Sequence, residues 1–130
     1  MDRTSARTAA MQLLYEWEMG GDGGEETRVG MLEIKPGENE TDFMEKLVEG
    51  VRANVQAIDG LVEKYAVDWK LERIMRVDLT ILRLAIFEIT HTDLSDAISV
   101  NEALELARSY STPEAVSFIN GVLGSMLRSK

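Results

Sequence analysis

The sequence predicts an all-α domain, and three observations carry that prediction. Leu, Ala, Glu and Met are abundant while proline is limited to two residues, and unbranched side chains lose little rotamer freedom in a helix. Apolar residues recur at three- and four-residue spacing through most of the chain, the pattern of helices that each bury one face. The run from Leu79 to Ile89 is instead apolar on every side of a helical wheel, although it carries Arg83 and Glu88 and follows Asp78. A helix that is hydrophobic all round belongs at the centre of a bundle, so each of these charges requires either an internal partner or a bound ligand.

Taken in order, the elements begin with an amphipathic helix from Thr4 to Met19, whose stripe is Ala6, Ala10, Leu13 and Trp17. Gly20-Gly21-Asp22-Gly23-Gly24 ends it. Residues 21–41 form a loop-rich connection containing Pro36-Gly37, with room for a short helix around Thr27 to Ile34. Thr41 or Asp42 is placed to cap a helix carrying Phe43, Leu47, Val48 and Val51. A second apolar series, Val55, Ile58, Leu61, Val62 and Tyr65, follows, and Gly50 and Gly60 favour a break near Asn54.

Asp68 is a candidate cap for a short turn ahead of the long buried helix, and His91 to Asp96 reads as a polar connection. Ser99-Val100-Asn101-Glu102 has the Ser-x-x-Glu form of a capping box, which starts a helix through Tyr110. Thr112-Pro113 sets a hydroxyl at a cap and proline at the first helical position, where its missing N–H costs nothing. A last helix runs from there to about Leu127.

At 130 residues and 45% hydrophobic, the chain suits one domain, 1–130, with a substantial core. The absence of cysteine removes disulfides, thiolate nucleophiles and cysteine metal sites, and the single histidine leaves no basis for a histidine-rich centre. A catalytic triad would need His91, and no motif supports one. No enzyme activity, metal or cofactor is therefore expected. The glycines at 20–24 lack the preceding strand and following lysine of a P-loop. Gly121-x-x-Gly124 falls inside a predicted helix, where close helix packing is the reading preferred over the nucleic-acid loop of KH domains.

No apolar run reaches the roughly 18 to 20 residues that span a bilayer, and the N-terminus lacks a signal-peptide core, so a cytoplasmic protein without membrane contact is expected. The formal net charge of −9 repels phosphates as a whole-molecule field. Any polyanion site must be local. Arg3 and Arg7 head the first helix, whereas Glu38, Glu40, Asp42, Glu45 and Glu49 are set against Lys46 alone.

Several segments, in order across nearly the whole chain, resemble the NusB family of bacterial transcription antitermination factors. They are Arg7-Thr8-Ala9-Ala10-Met11-Gln12-Leu13-Leu14-Tyr15, Phe43 with Leu47-Val48-Glu49-Gly50-Val51, Ile58-Asp59, the run Trp69 to Ile89, Val100 to Ala107, and Phe118-Ile119-Asn120-Gly121-Val122-Leu123. The resemblance implies two small helical bundles packed together, with about seven helices. It also implies a non-catalytic protein that binds boxA RNA jointly with NusE, the small-subunit ribosomal protein, and then joins RNA polymerase with other Nus factors. Some relatives self-associate, so a homodimer is an open alternative. So are a pure protein-interaction adaptor of the same fold and a remnant of an RNA methyltransferase's substrate-binding domain.

The resemblance also assigns candidate residues, each weighed against a structural reading. Arg3 and Arg7 lie four apart on the first helix and are the natural phosphate contacts, or else solvated charges. Their charge sits poorly at a helix N-terminus, a mismatch that a bound phosphate would remove. Gln12 belongs with the RNA contacts and Tyr15 with the NusE surface, Tyr15 being otherwise a half-packed aromatic. Trp17 reads as core.

Glu72 and Asp78 match acidic positions at the partner or RNA surface, where carboxylates can accept hydrogen bonds from base edges. The structural alternative is a solvated face for Glu72 and an internal ion pair or helix-start charge for Asp78. Glu114 and Phe118 share a face of the last helix, with Phe118 either stacking on a base or packed in the core. Ser117 stands where relatives often carry lysine. Arg83, in the most apolar run, calls for a carboxylate partner, with Glu102 and Glu105 as candidates. Asn101 and Asn120 read as bridges between helices, and His91 as solvated.

Overall fold

A computed structural model describes residues 3–20 and 38–129, with side chains at 38–41 excluded. The possible short helix around Thr27 to Ile34 lies outside the described residues. The described elements are all helical: α1 (Arg3–Glu18), α2 (Glu38–Ala53), α3 (Val55–Tyr65), a 3-10 turn at Leu71–Arg73, α4 (Arg76–His91), α5 (Asp96–Tyr110) and α6 (Pro113–Arg128). No described helix is long and apolar enough to cross a membrane.

The arrangement follows from α4. Every residue from Asp78 to Ile89 is buried, and α4 touches each of the five other α-helices. On one side α1 and α2 pack against each other and against it; on the other, α5 and α6 do so, with α3 reaching α6. The two small bundles expected from the resemblance thus share one central helix. Leu79, Ile81, Leu82 and Ile86 are completely enclosed, which at about 1.5–3 kcal/mol for each large apolar side chain makes α4 the main source of hydrophobic stabilisation. The hydroxyls on this helix are satisfied within it: Thr80 Oγ1 donates to the Arg76 carbonyl and Thr90 Oγ1 to the Ile86 carbonyl, both at 2.7 Å.

Several helix boundaries behave as their sequences predict. Thr112 caps α6 by accepting from the Ala115 N–H at 3.1 Å, and Pro113 occupies the first turn. The break between α2 and α3 falls at Asn54, whose Nδ2 donates to the Gly50 carbonyl at 2.8 Å. Gly50 itself has a different task from the one expected. A Cβ at this position would lie 2.1 Å from the Phe87 ring tip, so glycine is what allows α2 to close on α4, whereas a Cβ at Gly60 would meet nothing.

Five local expectations are corrected. Helix α2 begins at Glu38 instead of being capped by Thr41 or Asp42. Asp68 does not cap the 3-10 turn, which is preceded by Lys70 without a side-chain cap; Asp68 adopts the left-handed conformation, φ 69°, which aspartate tolerates better than most residues. Ser95, not Ser99, caps α5, accepting from the Ile98 N–H at 3.2 Å. Ser99 is already helical, its N–H donates to the Ser95 carbonyl at 3.1 Å, and its enclosed hydroxyl has no partner. Finally, no other described helix packs on Gly121 or Gly124: a Cβ at the first meets nothing within 4 Å and at the second only the Arg128 guanidinium. Asn101 and Asn120 are likewise exposed rather than set between helices.

Candidate nucleic-acid interface

The turn before α4 and the start of α6 enclose a groove of about 180 Å³ whose walls include Trp69, Arg73, Met75, Asp78, Glu114 and Phe118. Local structure explains the convergence. The left-handed Asp68 and the 3-10 turn reverse the chain after α3, which leaves Trp69 half exposed. The Thr112-Pro113 start sets Glu114 and Phe118 one turn apart on α6. The Trp69 and Phe118 rings then stand 5.5 Å apart at 59°, a tilted aromatic contact. Asp78 is buried at the floor and accepts a hydrogen bond from Ser111 Oγ at 2.6 Å. Chemically the groove offers aromatic surface for stacking, one guanidinium, and carboxylates for base-edge donors.

A second groove of about 460 Å³, mostly apolar, is lined by Met11, Gln12, Tyr15, Glu16, Val77 and Tyr110. The two share a wall. Val77 and Tyr110 face the second groove, Asp78 and Thr112 face the first, and the Ser111–Asp78 hydrogen bond crosses between them. Gln12 and Tyr15 therefore sit together, and Asp78, Glu114 and Phe118 sit together, as two adjoining sites.

The basic residues are placed differently from expectation. Arg7 is only 3% exposed: its Nε donates to Glu88 Oε1 and Oε2 at 2.9 and 3.1 Å, and Nη1 lies 3.9 Å from Glu102. It is held in an internal ion pair with Glu88 rather than exposed at the surface. The reason is rotational phase. Arg7 lies three and seven residues before Ala10 and Leu14, both buried, and so faces α4 with them. Burial pushes the Glu88 carboxyl above the usual range, while Arg7 opposes that rise incompletely. Arg3 is exposed, its guanidinium 4.7 Å over the Phe43 ring, and it lines a separate cavity with Lys46, Phe43 and Asp93. This cavity shares no residue with either groove.

Arg83 pairs with residues other than Glu102 or Glu105. Its Nε and Nη2 each donate to Asp59 at 2.8 Å, and Nη1 donates to Glu18 at 2.7 Å. Glu102 lies beside Arg7, and Glu105 pairs with Arg108 on its own helix. Burial would raise the Glu18 carboxyl, but hydrogen bonds from Arg83 and Arg76 outweigh it and hold the group below the usual carboxylate range. Glu72 is exposed on the 3-10 turn and does not line the aromatic groove. Trp17 is partly buried against the core, with the Arg52 guanidinium over its ring.

Residue-by-residue reading of the sequence missed Trp69 and Arg73. A tryptophan just outside an apolar periodic run was the available signal, since a large aromatic left off the buried stripe has to find another use. Among the described residues no group of three or more His, Cys, Asp or Glu could hold a metal ion.

Comparison with known proteins bears on the same geometry. The family model described as the NusB family matches residues 4–128. A relative named transcription antitermination protein NusB, from Acetivibrio thermocellus, is 44% identical over all of this chain and 91% of its own length. NusB from T. maritima superposes with a TM-score of 0.86 at 27% identity, covering 98% of this chain and 92% of that one. A solved complex of the antitermination factors NusB and NusE with dsRNA contains a chain matching at TM-score 0.86 and 25% identity, with 98% and 97% covered. With helices, central apolar run and full-length matches in agreement, this chain belongs to the NusB family.

Proposed function

We propose that the chain is a cytoplasmic, non-catalytic transcription antitermination factor that binds boxA-type single-stranded RNA jointly with NusE and then joins the RNA polymerase antitermination complex. The observation that carries this reading is the pair of adjoining grooves. The one holding Trp69, Phe118, Asp78 and Glu114 suits unstacked bases, and the apolar one holding Tyr15, Val77 and Tyr110 suits a protein partner. A solved complex of the antitermination factors NusB and NusE with dsRNA supports joint engagement of NusE and RNA.

Electrostatics makes joint binding physically sensible. With net charge −9 and Arg73 as the one cation among the described residues lining the aromatic groove, the site attracts phosphates weakly, so the partner must supply much of the positive field. Filter binding of a boxA oligonucleotide, with and without NusE, tests this: markedly tighter binding with NusE is expected, and equal affinity would sink the joint mechanism. Phe118→Ala should weaken RNA binding by about 1–3 kcal/mol if its ring stacks on a base. The same scarcity of cations favours the adaptor alternative, which predicts no RNA retention even in the presence of NusE.

A further inference from the structure

One wall of the aromatic groove is held by a residue that lines neither groove. Arg76 opens α4, and its Nη2 donates to the carbonyls of Leu71 and Ile74 at 2.7 and 2.6 Å while its Nη1 donates to Glu18 at 2.7 Å. Those two carbonyls belong to the 3-10 turn and its exit, the segment that links Trp69 and Arg73 to α4. Glu18 is in turn held by Arg83, which Asp59 grips with both oxygens. A continuous chain of charge-assisted hydrogen bonds thus runs from α3 through α4 and the last turn of α1 into the turn that presents half of the aromatic groove.

Besides Arg76, the turn is held by Ile74, which is buried in the core, by Leu71, partly buried against it, and by a few backbone hydrogen bonds. The Trp69 N–H donates to the Ala66 carbonyl, and the Arg73 and Ile74 N–H groups close the 3-10 turn. The N-terminus of the turn has no side-chain cap. Trp69 and Met75 remain half exposed. Ile74 fixes where the turn meets the core, and Arg76 fixes the direction of its carbonyls, on which the orientation of the Trp69 ring against Phe118 depends.

We infer that Arg76 is a positioning residue for RNA binding: its guanidinium fixes the 71–74 carbonyls so that Trp69 stays beside Phe118 as the second wall of a base-stacking site. Arg76 lines neither groove and acts through the turn. The inference rests on the RNA-binding reading above, but it makes one claim that needs no RNA, namely that Trp69 is held less firmly without Arg76.

The test uses the full chain carrying Trp17→Phe, which leaves Trp69 as the only tryptophan. Arg76→Met should lower the fluorescence anisotropy of Trp69 at unchanged helical circular dichroism. Arg76→Lys should do the same, because an ammonium lacks the planar fork that reaches two carbonyls and a carboxylate together; it also serves should the methionine variant not fold. With RNA and NusE present, Arg76→Met should weaken binding by about 5- to 20-fold, a partial loss of one stacking contact. That loss should vanish in a Trp69→Ala background, since the two residues act as one unit, and the salt dependence should keep its slope.

Unchanged anisotropy, or an RNA defect of equal size with and without Trp69, would overturn the positioning role. A slope shallower by about 0.7 would overturn it too, by showing that Arg76 itself neutralises a phosphate. Failure of the unaltered protein to bind RNA would instead overturn the proposed function, with the anisotropy measurement still deciding for or against the anchor.

Discussion

Arg7→Met separates a structural arginine from an RNA-binding one. The guanidinium is 3% exposed and Glu88 is 2% exposed, so the substitution strands a carboxylate in the core. Removing one partner of a buried pair typically costs about 3–5 kcal/mol. Methionine retains most of the apolar volume of the arginine stem, which keeps the cavity contribution small. Against a domain stability of about 5–15 kcal/mol the variant should still fold, but with a much lower urea midpoint.

The deficit should also depend on pH. Burial already raises the Glu88 carboxyl above its ordinary value, and Arg7 is the main influence opposing that rise, so its loss raises the folded-state value further. A group raised on folding contributes stability that is present below its unfolded value, about 4.3 for Glu, and that is lost as pH rises through the folded value. The variant should thus be most deficient at pH 8 and recover toward pH 5, by up to about 1.4 kcal/mol per pH unit within that window. Arg7→Met with Glu88→Leu should regain most of the loss, because no charge is left buried. Urea unfolding at the two pH values supplies the measurement. Unaltered midpoints together with an RNA salt slope shallower by about 0.7 would refute this reasoning and return Arg7 to the phosphate surface.

Two further outcomes follow from local geometry. Gly50→Ala should lower the melting temperature, since the clash with Phe87 costs about 1–3 kcal/mol against a helix-propensity gain of roughly 1, whereas Gly60→Ala, which meets open space, should raise it; equal shifts at both glycines would contradict the close approach of α2 to α4. Glu18→Gln should destabilise at neutral pH but narrow its gap from the unaltered protein in acid. The carboxyl is depressed on folding, so its contribution is present above the unfolded value and lost as pH falls through the folded one, and a gap that stayed constant from pH 7 to pH 2 would count against the Arg83–Glu18–Arg76 network.

The division between what was legible and what was not runs through individual residues. Periodicity and composition specified six helices and the central position of α4, because a helix apolar on every side has only one stable environment. The Thr112-Pro113 cap was equally readable, since its partner, the Ala115 N–H, is three residues away and needs no tertiary context. Ser99 shows the limit of local reading. Its spacing to Glu102 satisfies a capping box, yet Ser95 offers a competing hydroxyl one turn earlier, and packing draws Ser99 into the core.

For the candidate site, Asp78, Glu114 and Phe118 could be nominated from the resemblance, and Tyr15 and Gln12 with them. Their grouping into two grooves with one wall could not, nor could the addition of Trp69 and Arg73. The sequence alone determined that this is an all-α domain built round one apolar helix, and that Arg83 needed a carboxylate. Only the tertiary structure decided that the carboxylates are Asp59 and Glu18, that Arg7 faces inward to Glu88, and that Arg76 anchors the aromatic turn. The physical reason is that periodicity determines which side chains share a helix face, whereas the rotational phase of each helix against its neighbours, and hence which charges meet, is settled by packing among segments distant in the chain.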